Sequence, residues 1–114
     1  MALETLKKQR DFDLVYKKGK VFFGKNIALR FLPAKGLEEG SLYAIVISTK
    51  VSKKAVERNL KKRQMREIIR ASRDKIKKGF MFLVIFQEGS IGSSYTDLEK
   101  EFLYLAGKSG SILI

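Results

Sequence analysis

The sequence predicts an α+β fold in which helices lie against one β-sheet, and three observations carry that reading. Residues 42–49 (LYAIVIST) and 80–86 (FMFLVIF) are short runs of aliphatic, β-branched and aromatic side chains, the composition of strands buried on both faces. Between them lies a long amphipathic helix, 53–75, so the three pieces form a βαβ unit. Finally, 114 residues with 45% hydrophobic content suffice for one core and not for two, so residues 1–114 are expected to be a single domain.

Taken in order, residues 7–18 (KKQRDFDLVYKK) read as a helix stopped by Gly19, with Phe12, Val15 and Tyr16 on one stripe. Val15 and Leu14 are expected in the core. Phe12 and Tyr16 stay open between two readings, because Lys7, Lys8, Arg10, Lys17 and Lys18 flank them. They either pack inward or stack bases while the cations meet phosphates.

Residues 21–23 read as a short strand before Gly24, and 26–32 (NIALRFL) alternate Ile27, Leu29 and Phe31 against Ala28, Arg30 and Leu32 until Pro33 ends the run. AKGLEEGS is a turn-rich connection. Strand 42–49 then delivers Ser48, Thr49 and Lys50 to the start of the basic helix, with Ser52 at the expected N-cap. In strand 80–86, Phe80, Phe82 and Phe86 share a face; lacking interleaved cations, they read as core rather than as a stacking platform. After the loop QEGSIGSS, Ser94 to Asp97 has the form of a capping box in front of a last helix, 95–106, with Leu98, Phe102 and Leu105 on one stripe. Residues 107–114 are expected to form a loose tail.

Charge is concentrated rather than spread. Of the 24 Lys and Arg residues, 12 lie in 53–78 against three acids, whereas 79–114 is net negative within a chain of net charge +12. Wound at about 100° per residue, Asn59, Lys62, Arg63, Arg66, Arg70 and Arg73 fall within an arc of roughly 100°, with Val56, Leu60, Met65, Ile68, Ile69 and Ala71 assigned to the buried side. A solvated helix face normally mixes charges, as in i,i+4 Glu–Lys pairs, and this arc holds no carboxylate. Five cations in a row repel one another unless a polyanion lies along them. Nucleic acid is the expected partner.

Several function classes are excluded or disfavoured. The chain has no Cys and no His, which removes thiolate chemistry, zinc sites built from those ligands and imidazole acid–base catalysis. The carboxylates are scattered, as Glu38 and Glu39 in a loop and Asp97, Glu99 and Glu101 in the last helix, so no catalytic residue and no protein-held metal is expected. No phosphate-binding G-x-x-x-x-G-K-[ST] loop is present, so no small-molecule nucleotide substrate is expected. With no secretory signal and no apolar run of about 20 residues, a cytoplasmic protein without a membrane partner is expected. Lipid binding by the basic helix is disfavoured because no aromatic residue backs its cations.

The run K-V-S-K-K-A-V-E-R-N-L-K-K-R-Q-M-R-E resembles the signature of the protein subunit of bacterial ribonuclease P, A-V-x-R-N-x-x-K-R-x-x-R-E, met here by Ala55, Val56, Arg58, Asn59, Lys62, Arg63, Arg66 and Glu67. The pieces LKKQRDFDLVYKKGK, the strand ending at Lys50, FLVIF and SSYTDLEKEF resemble that family's other elements in order, so the likeness spans nearly the whole chain. The resemblance implies an αβββαβα two-layer sandwich of the ribosomal protein S5 domain 2-like type. It implies a left-handed βαβ crossover too, against the right-handed default.

It further implies an accessory subunit of a ribonucleoprotein endoribonuclease. The catalytic RNA, with Mg²⁺ held mainly by that RNA and none bound by the protein alone, removes the 5′ leader from precursor tRNA. The resemblance carries Arg58, Asn59, Lys62, Arg63 and Arg66 over as contacts with the RNA subunit, to which the helix arc adds Arg70 and Arg73; it carries Phe12, Tyr16 and Lys50 over to a cleft for the single-stranded leader, where the neighbouring Lys53 and Lys54 are also expected. Two positions depart from the family pattern. Leu60 stands where a third signature Arg is usual, and Lys61 stands where an aliphatic residue is usual. The competing readings are a ribosomal or ribosome-assembly protein, a protein nuclease and a protein-interaction module.

Overall fold

The computed structural model describes residues 2–34, 36–37 and 40–108. Its elements are β1 (Ala2–Thr5), α1 (Gln9–Lys18), β2 (Lys20–Phe23), β3 (Ile27–Pro33), β4 (Gly40–Val46), α2 (Ala55–Ala71), β5 (Phe80–Phe86) and α3 (Tyr95–Lys108), with 3-10 turns at Arg73–Lys75 and Ser90–Gly92. The strands form one mixed sheet in the order β1-β4-β5-β3-β2. β4 lies between β1 and β5 and is parallel to both, while β3 is antiparallel to β5 and to β2. This central place explains why β4 and β5 are apolar on both faces: one face of each strand backs the inner core, and the other is covered over part of its length.

Alternation along the strands sorts the core into two layers. The inner face carries Ile27, Leu29, Phe31, Tyr43, Phe82, Val84 and Phe86 against Met65, Ile68 and Ile69 of α2 and Leu98, Phe102 and Leu105 of α3. Sheet and helix pair make the expected sandwich. On the outer face α1 lays Val15 and Phe12 over Met81 and Leu83, with Leu32, Leu42, Ala44 and Ile85 around them. Among the described residues no helix covers that face toward Phe23, Val46 and Ile85.

Strand 80–86 is found residue for residue, with Phe82 and Phe86 in the inner core. The capping box also forms reciprocally: Asp97 N–H donates to Ser94 Oγ at 3.1 Å and Ser94 N–H to Asp97 Oδ2 at 3.4 Å. Other boundaries move. β4 stops at Val46, before Ser48. The basic helix runs 55–71 and then tightens into the turn at Arg73–Lys75. Gly107 and Lys108 belong to α3 rather than to a tail, and 109–114 lie outside the described residues. Leu14 is 37% exposed and not core, because Val15 alone of the pair faces the sheet. β1 has no counterpart in the sequence reading. Ala-Leu-Glu-Thr has little strand character of its own, and it is the parallel register with β4, Ala2 opposite Gly40 to Thr5 opposite Tyr43, that makes it a strand.

Candidate RNA interface

The approach to α2 is tied together by side chains. Lys54, not Ser52, holds the N-cap position, yet the Ser52 hydroxyl accepts from Lys54 N–H at 3.1 Å and donates to the Glu57 carboxylate. Arg58 Nη1 donates to the Ser52 carbonyl at 2.8 Å, so this half-buried guanidinium braces the loop that carries Lys50, Lys53 and Lys54. Those three lysines are exposed at the helix start.

Along α2 the buried stripe is set by Met65, Ile68 and Ile69, and the residue four positions before Met65 shares that face. Position 61 must therefore point inward. Asn59, Arg63, Arg66, Arg70 and Arg73 are exposed on the far side, with Lys62 half-buried at the edge. Val56, Leu60 and Ala71, expected on the buried side, are instead exposed, Val56 at 80% and Leu60 at 41%. A wheel divided into cationic and apolar halves misplaced them; the stripe fixed by the core leaves positions 56 and 60 beside Asn59 and Arg63. The four side chains line a hollow of about 320 Å³.

Lys61 fills the inward position at 4% exposure, and its ammonium donates to the Ser93 carbonyl just before α3. Burial pushes the Lys61 ammonium below the usual lysine range, partly opposed by the nearby Asp97 carboxylate. The two departures from the family pattern thus act as a pair. Lys61 turns into the protein, while Leu60 faces out among the cations.

A second cluster stands on the outer face. Phe12 and Tyr16, one helical turn apart, stack at 6.3 Å between ring centroids with 10° between planes. Phe12 is half-buried against the outer core, whereas Tyr16 is 51% exposed and its ring is open to solvent. Arg30 joins them: its guanidinium lies 4.7 Å from the Tyr16 ring centroid and donates to the Tyr16 carbonyl at 2.8 Å. Phe23, 69% exposed, lies on the same face two residues along β2 from Val21, the cross-strand neighbour of Arg30. Neither residue was singled out from the sequence; the alternation that sent Ile27, Leu29 and Phe31 inward already placed Arg30 outward. The aromatic cluster and the α2 arc lie on opposite faces of the sheet, with the Lys50–Lys54 loop following the end of β4.

The carboxylates do other work. Glu101 accepts backbone N–H bonds from Lys25 at 3.1 Å, Asn26 at 2.9 Å and Ile27 at 2.6 Å. Among the described residues no three of Asp and Glu gather into a group that could hold a metal ion. Among the same residues no helix is long and apolar enough to cross a membrane.

Comparison with known proteins agrees with this architecture. The family model described as Ribonuclease P matches residues 2–110. The ribonuclease P protein component of Synechocystis is 36% identical over 107 residues, covering 94% of this chain and 86% of the relative. The solved structure of the RNase P protein from Thermotoga maritima superposes with a TM-score of 0.78 at 30% identity, covering 89% of this chain and 93% of that one. The protein from Staphylococcus aureus, at 22% identity and 96% coverage of both chains, shares the fold with a TM-score of 0.83. A signature helix with its cations outward, set in this sheet and matched over nearly its full length, places the chain in the ribonuclease P protein family.

Proposed function

We infer a division of labour between two surfaces of a chain that serves as the RNA-binding protein subunit of ribonuclease P and assists the catalytic RNA in removing the 5′ leader from tRNA precursors. The α2 surface, Asn59, Lys62, Arg63, Arg66, Arg70 and Arg73 with Arg58 at its edge, binds the RNA subunit. The outer-face cluster of Phe12 and Tyr16, with Lys50, Lys53 and Lys54, receives the single-stranded leader. The observation that carries the first assignment is the exposed row of Arg63, Arg66, Arg70 and Arg73, in which cations far outnumber the single neighbouring carboxylate, Glu67. The second rests on an exposed ring among cations, the combination that stacks a base while neutralising its phosphate. Arg58 acts largely by bracing the loop, since one of its N–H groups is held by Ser52.

In this reading the protein contributes binding and position, and Mg²⁺ and the chemistry of hydrolysis belong to the RNA subunit. Reconstitution with a bacterial ribonuclease P RNA tests it. The chain should raise cleavage of precursor tRNA at low Mg²⁺ and bind precursor more tightly than mature tRNA in the complex. Cleavage by the chain alone, or equal affinity for the two tRNAs, would refute it. A ribosomal protein would bind its RNA without any preference for a leader.

A further inference from the structure

Val56 and Leu60 are large apolar side chains placed one turn apart on the face that otherwise carries the cations of α2. They line the hollow of about 320 Å³ together with Asn59 and Arg63. Scattered exposed apolar residues are ordinary on protein surfaces, but these two share one concave place with an amide and a guanidinium. Each lining group suits a different part of a nucleotide. The aliphatic pair offers a surface about 6 Å long for a flat ring, the Asn59 amide both donates and accepts and so matches a base edge, and Arg63 suits a phosphate.

We propose that the Val56–Leu60 hollow takes one unstacked nucleobase of the ribonuclease P RNA, with Asn59 at its edge and Arg63 on its phosphate. This rests on the assignment of the α2 face to the RNA subunit. An intact duplex would lay only sugar and phosphate along the helix and leave both aliphatic side chains against polar groups. A second copy of the chain would bring the same cations into contact, and two side chains are far too small a patch for a protein interface, which needs about 800 Å² per partner. A base turned out of its stack satisfies the apolar and the charged groups together. Leu60 then is not a lost phosphate contact but a contact of a different kind.

The test uses the full chain and a bacterial ribonuclease P RNA, with chemical probing of base accessibility and dissociation constants measured over a salt series. Wild-type protein should shield a discrete unpaired base. The V56S/L60S double variant, whose changes fall on exposed positions, should lose that shielding and bind about tenfold more weakly with the salt slope unchanged. L60R should lose the shielding while steepening the slope by about one. Unchanged shielding and affinity in both variants overturns the proposal and leaves the α2 assignment standing. So does self-association of the wild-type chain that V56S/L60S abolishes. Wild-type binding that is weak and insensitive to salt instead overturns the assignment on which the proposal rests.

Discussion

The ammonium of Lys61 in α2 donates to the backbone carbonyl of Ser93 from a position only 4% exposed. It thereby ties the signature helix to the start of α3. Burial lowers the Lys61 pKa from 10.5, so the unfolded chain binds this proton more tightly than the folded one. The penalty is fully present below the folded pKa and is relieved as pH rises toward 10.5. Lys61→Met keeps the stem and removes the charge, and Ser93, whose carbonyl loses its donor, is itself only half-buried. The variant is expected to be about 1 kcal/mol more stable in urea denaturation at neutral pH, with the advantage shrinking as the solution becomes alkaline. A loss of stability at neutral pH would show that the hydrogen bond outweighs desolvation.

The same position shows what could and could not be read from residues alone. The period of the helix and the sign of its charges located the exposed arc, because local geometry dictates which side chains share a face. Where the buried stripe is centred depends on Met65, Ile68 and Ile69 meeting Phe102 and Leu105 across the core, and that is a tertiary fact. Hydrophobicity alone therefore sent Val56 and Leu60 inward and gave Lys61 no place on the buried side. β1 escaped notice for a related reason: its hydrogen-bond partner lies some 38 residues away, Ala2 opposite Gly40, and no local pattern announces it. Phe12 and Tyr16 were legible as a pair, whereas Arg30 became visible only when β3 placed it over the Tyr16 ring.

Glu101 secures the β2–β3 turn through its three backbone donors. Glu101→Ala strands these N–H groups and is expected to destabilise the chain by about 2 kcal/mol in urea denaturation, with Glu101→Gln intermediate. Gly24→Ala should act in the same direction, since a Cβ there would come within 2.8 Å of Glu101 Cδ. Insensitivity of stability to both substitutions would remove this carboxylate from the account of the fold.

On the exposed arc, the expected slope of log K against log salt for the RNA subunit is about −5 if six phosphates are neutralised. Arg66→Ala and Arg70→Ala alter exposed positions outside the core. Each should flatten the slope by about one and weaken assembly several-fold, with thermal stability unchanged. Fluorescence titration over a salt series reads both quantities. A weaker complex with the original slope would mean that these arginines do not meet phosphates.

Tyr16 isolates the proposed leader surface better than Phe12 does, because the half-buried Phe12 also packs against the outer core. Stacking of a base on an aromatic ring is worth about 1–3 kcal/mol, and the Arg30 guanidinium already covers part of one face of Tyr16. The lower half of that range therefore applies, and Tyr16→Ala should reduce affinity of the holoenzyme for leader-bearing precursor about tenfold. Mature tRNA has no leader to place there, so its affinity should not change. Tyr16→Phe keeps the ring and the Arg30 contact and should bind as the wild type does. Direct binding measurements with precursor and mature tRNA in parallel decide the matter: equal losses on both would move Tyr16 out of the leader cleft and into a general role in assembly.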